Sequence, residues 1–170
     1  MDVGWQLPVA WFALGATVVV CAVRAHRSRR AYVAGIAAVS LLWVLAGAGA
    51  NAWFLLRGDT YSGFADGAST SFVRTSWQTV VVPHHHLFIG LLIAFEAAAG
   101  LLVLVEGVLR QTALALLIAF DVALLSFGWG YLVWSVPMVV ALALLLHAGR
   151  GPRRPDAGRR PTTSAAGAAL

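Results

Sequence analysis

Lysine does not occur in this sequence of 170 residues, and cysteine occurs once, as Cys21. A single cysteine excludes an intrachain disulfide, a CxxC redox pair and a cysteine-based zinc site. Any redox role must therefore borrow its chemistry from another group. Charge of either sign is scarce, at 11% of residues, whereas 60% are hydrophobic. A chain this apolar does not make a soluble domain, and it holds several runs long enough to cross a bilayer. Twelve arginines against seven acidic residues leave a net charge of +5, a balance that elsewhere points to nucleic acid. Here the arginines fall in short clusters between or after apolar runs, which is a topology signal and predicts no nucleic-acid partner. Those clusters should instead favour anionic lipid headgroups. No nucleotide-binding motif is recognisable, so the chain is not expected to be an enzyme on its own.

What is present is a succession of apolar segments. They run from Trp5 to Val23, Ala31 to Leu56, His84 to Leu109, Gln111 to Phe127 and Tyr131 to His147. The expected fold is all-α, an integral membrane helical bundle of five transmembrane helices. Residues 1–30 form an N-terminal helix with a basic loop, and residues 31–147 a four-helix bundle carrying an outer loop at about 57–82. Residues 148–170, rich in Pro, Gly, Ala and Arg, read as a disordered basic tail. The last two segments are separated only by "GWG", whose glycines permit a tight turn.

Charge orders the segments. A signal peptide carries positive charge before its apolar core, whereas here Asp2 precedes the core and Arg24, Arg27, Arg29 and Arg30 follow it. With the N-terminus outside, those four arginines, Arg110 and the tail arginines Arg150, Arg153, Arg154, Arg159 and Arg160 all fall on the cytoplasmic side. Only Arg57 and Arg74 remain outside. The location this implies is the cell membrane, multi-pass, with a cytoplasmic C-terminus. In the outer loop, Val73, Trp77 and Val81 recur at i, i+4 and i+8 opposite polar residues, which predicts a short amphipathic helix in the interface leading through Pro83 into the third span.

Four polar residues inside the apolar segments form a candidate intramembrane site: Glu96, Asp121, His85 and Asn51. Counting from Arg110, Glu96 and Asp121 lie at about 21 and 16 Å from one membrane face on antiparallel helices, nearly the same depth. An ionised carboxylate at that depth costs on the order of 3 kcal/mol or more, so both should face the bundle interior. They serve there either as a proton-exchanging or ligand-binding pair or as buried hydrogen-bonding groups that hold the helices together. His84, His85 and His86 spread by 100° steps on a helix and cannot converge on one ion, so no metal is expected. His85 stands eleven residues before Glu96, within about 20° on the helical wheel, and could extend a polar track from the outer surface. Asn51 offers an interhelical hydrogen bond. Gly47, Gly49 and Ala50, with Gly90, Ala94, Ala97 and Gly100, mark where two helices can approach closely.

From the second segment onward the order of elements resembles the DoxX-like superfamily of small four-helix membrane proteins. The resemblance covers about Ala31 to Leu146 and rests on "LFIGLLIAFEAAAGLLVLVEGVLRQTALAL". In that family the helix after the outer loop bears a glutamate, a glycine, an apolar run, a second glycine and an arginine. Glu96, Gly100, Gly107 and Arg110 hold those positions here, followed by Thr112 and Ala113. The extra first helix, Glu106, and "AAAG" in place of a double glycine depart from the pattern.

The family takes its name from a thiosulfate:quinone oxidoreductase subunit, and other members accompany redox enzymes or act as membrane assembly factors. The resemblance therefore implies a non-enzymatic membrane scaffold or assembly subunit with a redox-enzyme partner and no cofactor of its own. A quinone-binding subunit of an oxidoreductase is the alternative, in which a quinone is the ligand and Glu96, Asp121 or His85 exchange its protons. A small proton-coupled carrier is the third reading, disfavoured by the short chain and the lack of an inverted repeat.

Overall fold

The computed structural model describes residues 6–150. Trp5 and the basic tail from residue 151 onward, on which sequence-based expectations also rest, lie outside the described residues. Helix α1 spans Gln6–Ala25 and α2 Arg29–Leu41; α2 continues through a π-helical segment, Leu42–Gly49, into α3, Ala50–Leu56. After a loop comes α4, Ser71–Ser76, which runs through a π-helical turn, Trp77–Val81, and a 3-10 turn, Val82–His84, into α5, His85–Leu102. The described residues end in α6, Val108–Leu124, a 3-10 turn, Leu125–Phe127, and α7, Trp129–Arg150. Among the described residues there is no strand. Five of the resulting helical stretches are long and apolar enough to cross a membrane, and the protein is a membrane-spanning helical bundle.

Local chemistry sets the helix ends. Ser28 opens α2, its Oγ accepting from the Ala31 N–H at 3.3 Å, and Thr70 opens α4 in the same way through the Val73 N–H. The third segment stops earlier than expected. It ends at Leu102, and a turn over 103–107 closes at Gly107, whose φ of +86° is open to glycine. Arg110 consequently sits in the first turn of α6 and not in the loop. From there its guanidinium donates from Nε to the Val103 carbonyl (2.7 Å) and from Nη2 to the Leu104 carbonyl (2.9 Å), satisfying backbone acceptors that the end of α5 leaves open. The last two spans are correspondingly longer than the sequence boundaries, 20 and 22 residues, each about 30 Å and sufficient for the hydrocarbon core. Of the two glycines in "GWG", Gly128 makes the turn with φ +112°, while Gly130 lies within α7.

The amphipathic stretch is helical but not separate. It continues into the third span as a 32-residue helical stretch, with the backbone deflected at His84, where φ is −117° and ψ 29°. Pro83 at the start of that deflection removes one N–H from the helical ladder.

Helix α1 packs on α2 and α7, α5 on the π-helical segment, and α6 on α7. The shared core contains Val18 and Ala22 from α1, Val39 from α2, Ala99 from α5, Leu117 from α6 and Leu142 from α7. In lipid, apolar side chains gain little from leaving the tails, so such a core holds by close packing and internal hydrogen bonds. Small residues allow that packing. A Cβ on Gly35 would stand 2.9 Å from Leu145, and one on Gly100 would stand 2.8 Å from Val44.

Candidate functional site

The π-helical segment Leu42–Gly49 lies where the second span passes Glu96. A run of i→i+5 hydrogen bonds is rare in helices and widens the local turn, and such insertions recur at functional sites. Here it brings Gly47 against the α5 carboxyl. A Cβ at Gly47 would sit 3.1 Å from both Cδ and Oε1 of Glu96, so the missing side chain is the space the carboxyl occupies. Glu96 is 3% exposed. Its Oε2 accepts from Asn51 Nδ2 at 2.9 Å, linking α5 to α3.

Asn51 is held in turn by the loop between α3 and α4. The Tyr61 hydroxyl donates to the Asn51 backbone carbonyl at 2.9 Å and also lies 3.4 Å from its Oδ1. Tyr61 adopts φ +56°, an uncommon conformation for a residue other than glycine. Neighbouring groups brace it: its N–H donates to Asp59 Oδ1 (2.7 Å), and its carbonyl accepts from Trp77 Nε1 (2.8 Å). Partial burial first, then the nearby Asp59 and Glu96 charges, push the Tyr61 phenol up to about 12. At neutral pH it is a donor, as its bond to Asn51 requires.

Above this network sits an aromatic roof. Phe64 stacks on Trp77 with ring centroids 4.8 Å apart and meets Phe127 at 5.0 Å and Tyr131 at 5.2 Å. The loop is pinned to the α6–α7 turn by Ser69 N–H to Ser126 O (2.9 Å) and by a backbone approach of Gly67 to Gly128 so close that a Cβ on Gly128 would collide with the Gly67 carbonyl. Below the roof lies a cavity of about 580 Å³. Its walls are largely aromatic, including Trp11, Trp43, Phe120 and Trp134, and its polar edge is Glu96, Asn51 and Tyr61. The lining reaches exposed Pro8, Phe12 and Gly130 at the ends of α1 and α7. The volume and character match a site for one small, mostly apolar molecule, with a few polar groups to orient it.

Of the four residues expected to share one site, Glu96 and Asn51 are joined directly. His85 and Asp121 do not line this cavity. His85 is occupied locally, its Nδ1 2.9 Å from the Val82 carbonyl and its ring 4.2 Å from that of His86. The polar connection from Glu96 toward the loop therefore runs through Asn51 and Tyr61, not through His85. Asp121 is fully buried, and among the described residues neither of its oxygens has a hydrogen-bond partner, Glu96 included. Ser135 Oγ and Trp43 Nε1 are likewise buried without a partner. Among the described residues no group of three His, Cys, Asp or Glu side chains is placed to hold a metal ion.

Tyr61, Gly47 and the cavity's aromatic walls were not singled out from the sequence. Gly47 reads there only as one of several small residues where two helices can approach closely. A tyrosine in a polar loop followed by a tryptophan sixteen residues later carries no local signal, because the loop geometry creates their contact. No protein-family model, curated protein or solved structure matches this chain.

Proposed function

We propose that the protein is a quinone-binding membrane subunit serving a redox-enzyme partner, and that the cavity beneath the Tyr61 loop is its binding site. One observation carries this reading: an aromatic-walled cavity inside a membrane bundle is edged by a buried carboxyl that Asn51 holds in place. A quinone has a flat ring suited to aromatic walls, oxygens suited to a carboxyl donor, and an apolar tail that can leave past Phe12 toward lipid. A scaffold that acts only through its outer helix faces has no need of such a cavity, so the geometry favours ligand binding over that simpler role. The partner supplies or accepts the electrons, and this chain positions the ring. We place the protein among DoxX-like proteins of the cell membrane, with the Tyr61 end outside and the Arg110 end cytoplasmic, on the sequence pattern and the arginine distribution.

Four tryptophans line the cavity, Trp11, Trp43, Trp77 and Trp134, and quinones quench indole fluorescence. Titration of purified protein in mild detergent with a short-chain benzoquinone should give saturable quenching. Glu96→Gln, which keeps an acceptor for Asn51, should bind within about three-fold of wild type. Glu96→Leu removes a charge-assisted or strong neutral hydrogen bond and should weaken binding about ten-fold or more. Quenching that stays linear, as in protein-free micelles, would overturn the reading, and so would identical affinities in all three proteins.

A further inference from the structure

We propose that a second cavity, at the Arg110 end of the bundle, binds the phosphate headgroup of an anionic phospholipid. The cavity, about 790 Å³, lies among the α1–α2 turn, the first turns of α2 and α6, and the end of α7. Its polar wall carries His26, Arg27, Arg29 and Arg110, with Glu106 the single acidic residue lining it among the described residues. The opposite wall is apolar, built from Ile36, Leu114 and Leu146.

Arg110 is a fixed group here. Two of its nitrogens cap the end of α5, and its guanidinium carbon lies 5.9 Å from the centre of the Tyr32 ring. Arg27 and Arg29 are exposed side chains flanking this fixed charge. Helices α2 and α6 both begin at the cavity, so their N-terminal dipoles add positive potential to that of the arginines. Ser28 caps the first of these ends, while Gly107 brings no side-chain cap to the second.

The pairing of surfaces selects the ligand. A phosphate diester satisfies arginine forks, and only a ligand with a hydrocarbon part also gains from the apolar wall. A phospholipid at a helix-bundle end carries its phosphate and the start of its chains at that junction, whereas a soluble phosphate would leave the apolar wall unused. This site lies away from the aromatic cavity and does not depend on its ligand.

The control is built into the same loop. Arg24 and Arg30 flank the turn but do not line the cavity, so removing them changes net charge as much as removing Arg27 and Arg29. The full-length protein in mild detergent is titrated with phosphatidylglycerol, phosphatidylcholine or inorganic phosphate, with bound lipid counted by native mass spectrometry. Wild type should retain phosphatidylglycerol in preference to phosphatidylcholine. The double variant Arg27→Gln/Arg29→Gln should lose roughly five-fold for each arginine removed, while Arg24→Gln/Arg30→Gln keeps the preference. Equal losses in both variants would mean diffuse surface charge and would overturn the site. Equal retention of the two lipids by wild type would overturn it even if the double variant failed to fold. Tight binding of inorganic phosphate that displaces no lipid would replace the lipid with a soluble anion and overturn the assignment.

Discussion

Tyr61 shows how much one side chain can organise. Its hydroxyl orients Asn51, its carbonyl holds Trp77, and its own backbone is kept in the left-handed region by Asp59. An acid whose folded pKa is raised contributes stability below its unfolded pKa and loses it as pH climbs through the folded value. For Tyr61 that window runs from 10.0 to about 12. The phenolate difference spectrum between wild type and Tyr61→Phe should therefore titrate near 12, and a midpoint at the ordinary tyrosine value would show the hydroxyl to be free in solution. Gly47 belongs to the same network by what it omits, since the Glu96 carboxyl occupies the space of its absent side chain.

At the level of elements, two irregularities position the site. The π-helical segment between α2 and α3 turns Trp43 and Gly47 toward α5, and the tight α6–α7 turn anchors the Tyr61 loop through Ser126 and Gly128. The glycine pair in "GWG" separates cleanly into one indispensable residue and one replaceable one. Gly128 has φ +112° and meets the Gly67 backbone, whereas a Cβ on Gly130 would meet nothing within 4 Å. Gly128→Ala should destabilise the protein by about 2 kcal/mol or more, and Gly130→Ala should cost almost nothing. Thermal unfolding in detergent, followed by tryptophan fluorescence, measures both. Equal midpoints for the two variants would contradict the close backbone contact.

For the whole molecule, the proposed orientation can be read directly. With Cys21 replaced, a cysteine at Ser69 should react with an impermeant thiol reagent added to intact cells, and one at Ser164 should react only after lysis. The reverse pattern would place the Tyr61 loop, and with it the roof of the cavity, on the inner side. The two cavities would then exchange faces, the aromatic one opening near the cytoplasm and the arginine-lined one outside.

Composition and apolar run length alone determined that this is a membrane-spanning helical bundle, with five long helices among the described residues, because a backbone in hydrocarbon must satisfy its own hydrogen bonds and only helices or closed barrels do so. The sequence also marked Glu96 as a buried carboxyl and Asn51 as a candidate hydrogen-bonding partner across helices, since polar groups at that depth have few alternatives. Apolar run length leaves Arg110 between the third and fourth segments, whereas the structure has it in the first turn of α6, because helix ends depend on capping contacts that become visible only when the carbonyls of Val103 and Leu104 are in place. A residue count from Arg110 predicts similar depths for Glu96 and Asp121, but such a count carries no rotation about the bundle axis. Only tertiary packing decided that Glu96 edges the aromatic cavity with Asn51 and Tyr61 while Asp121 lies outside its lining.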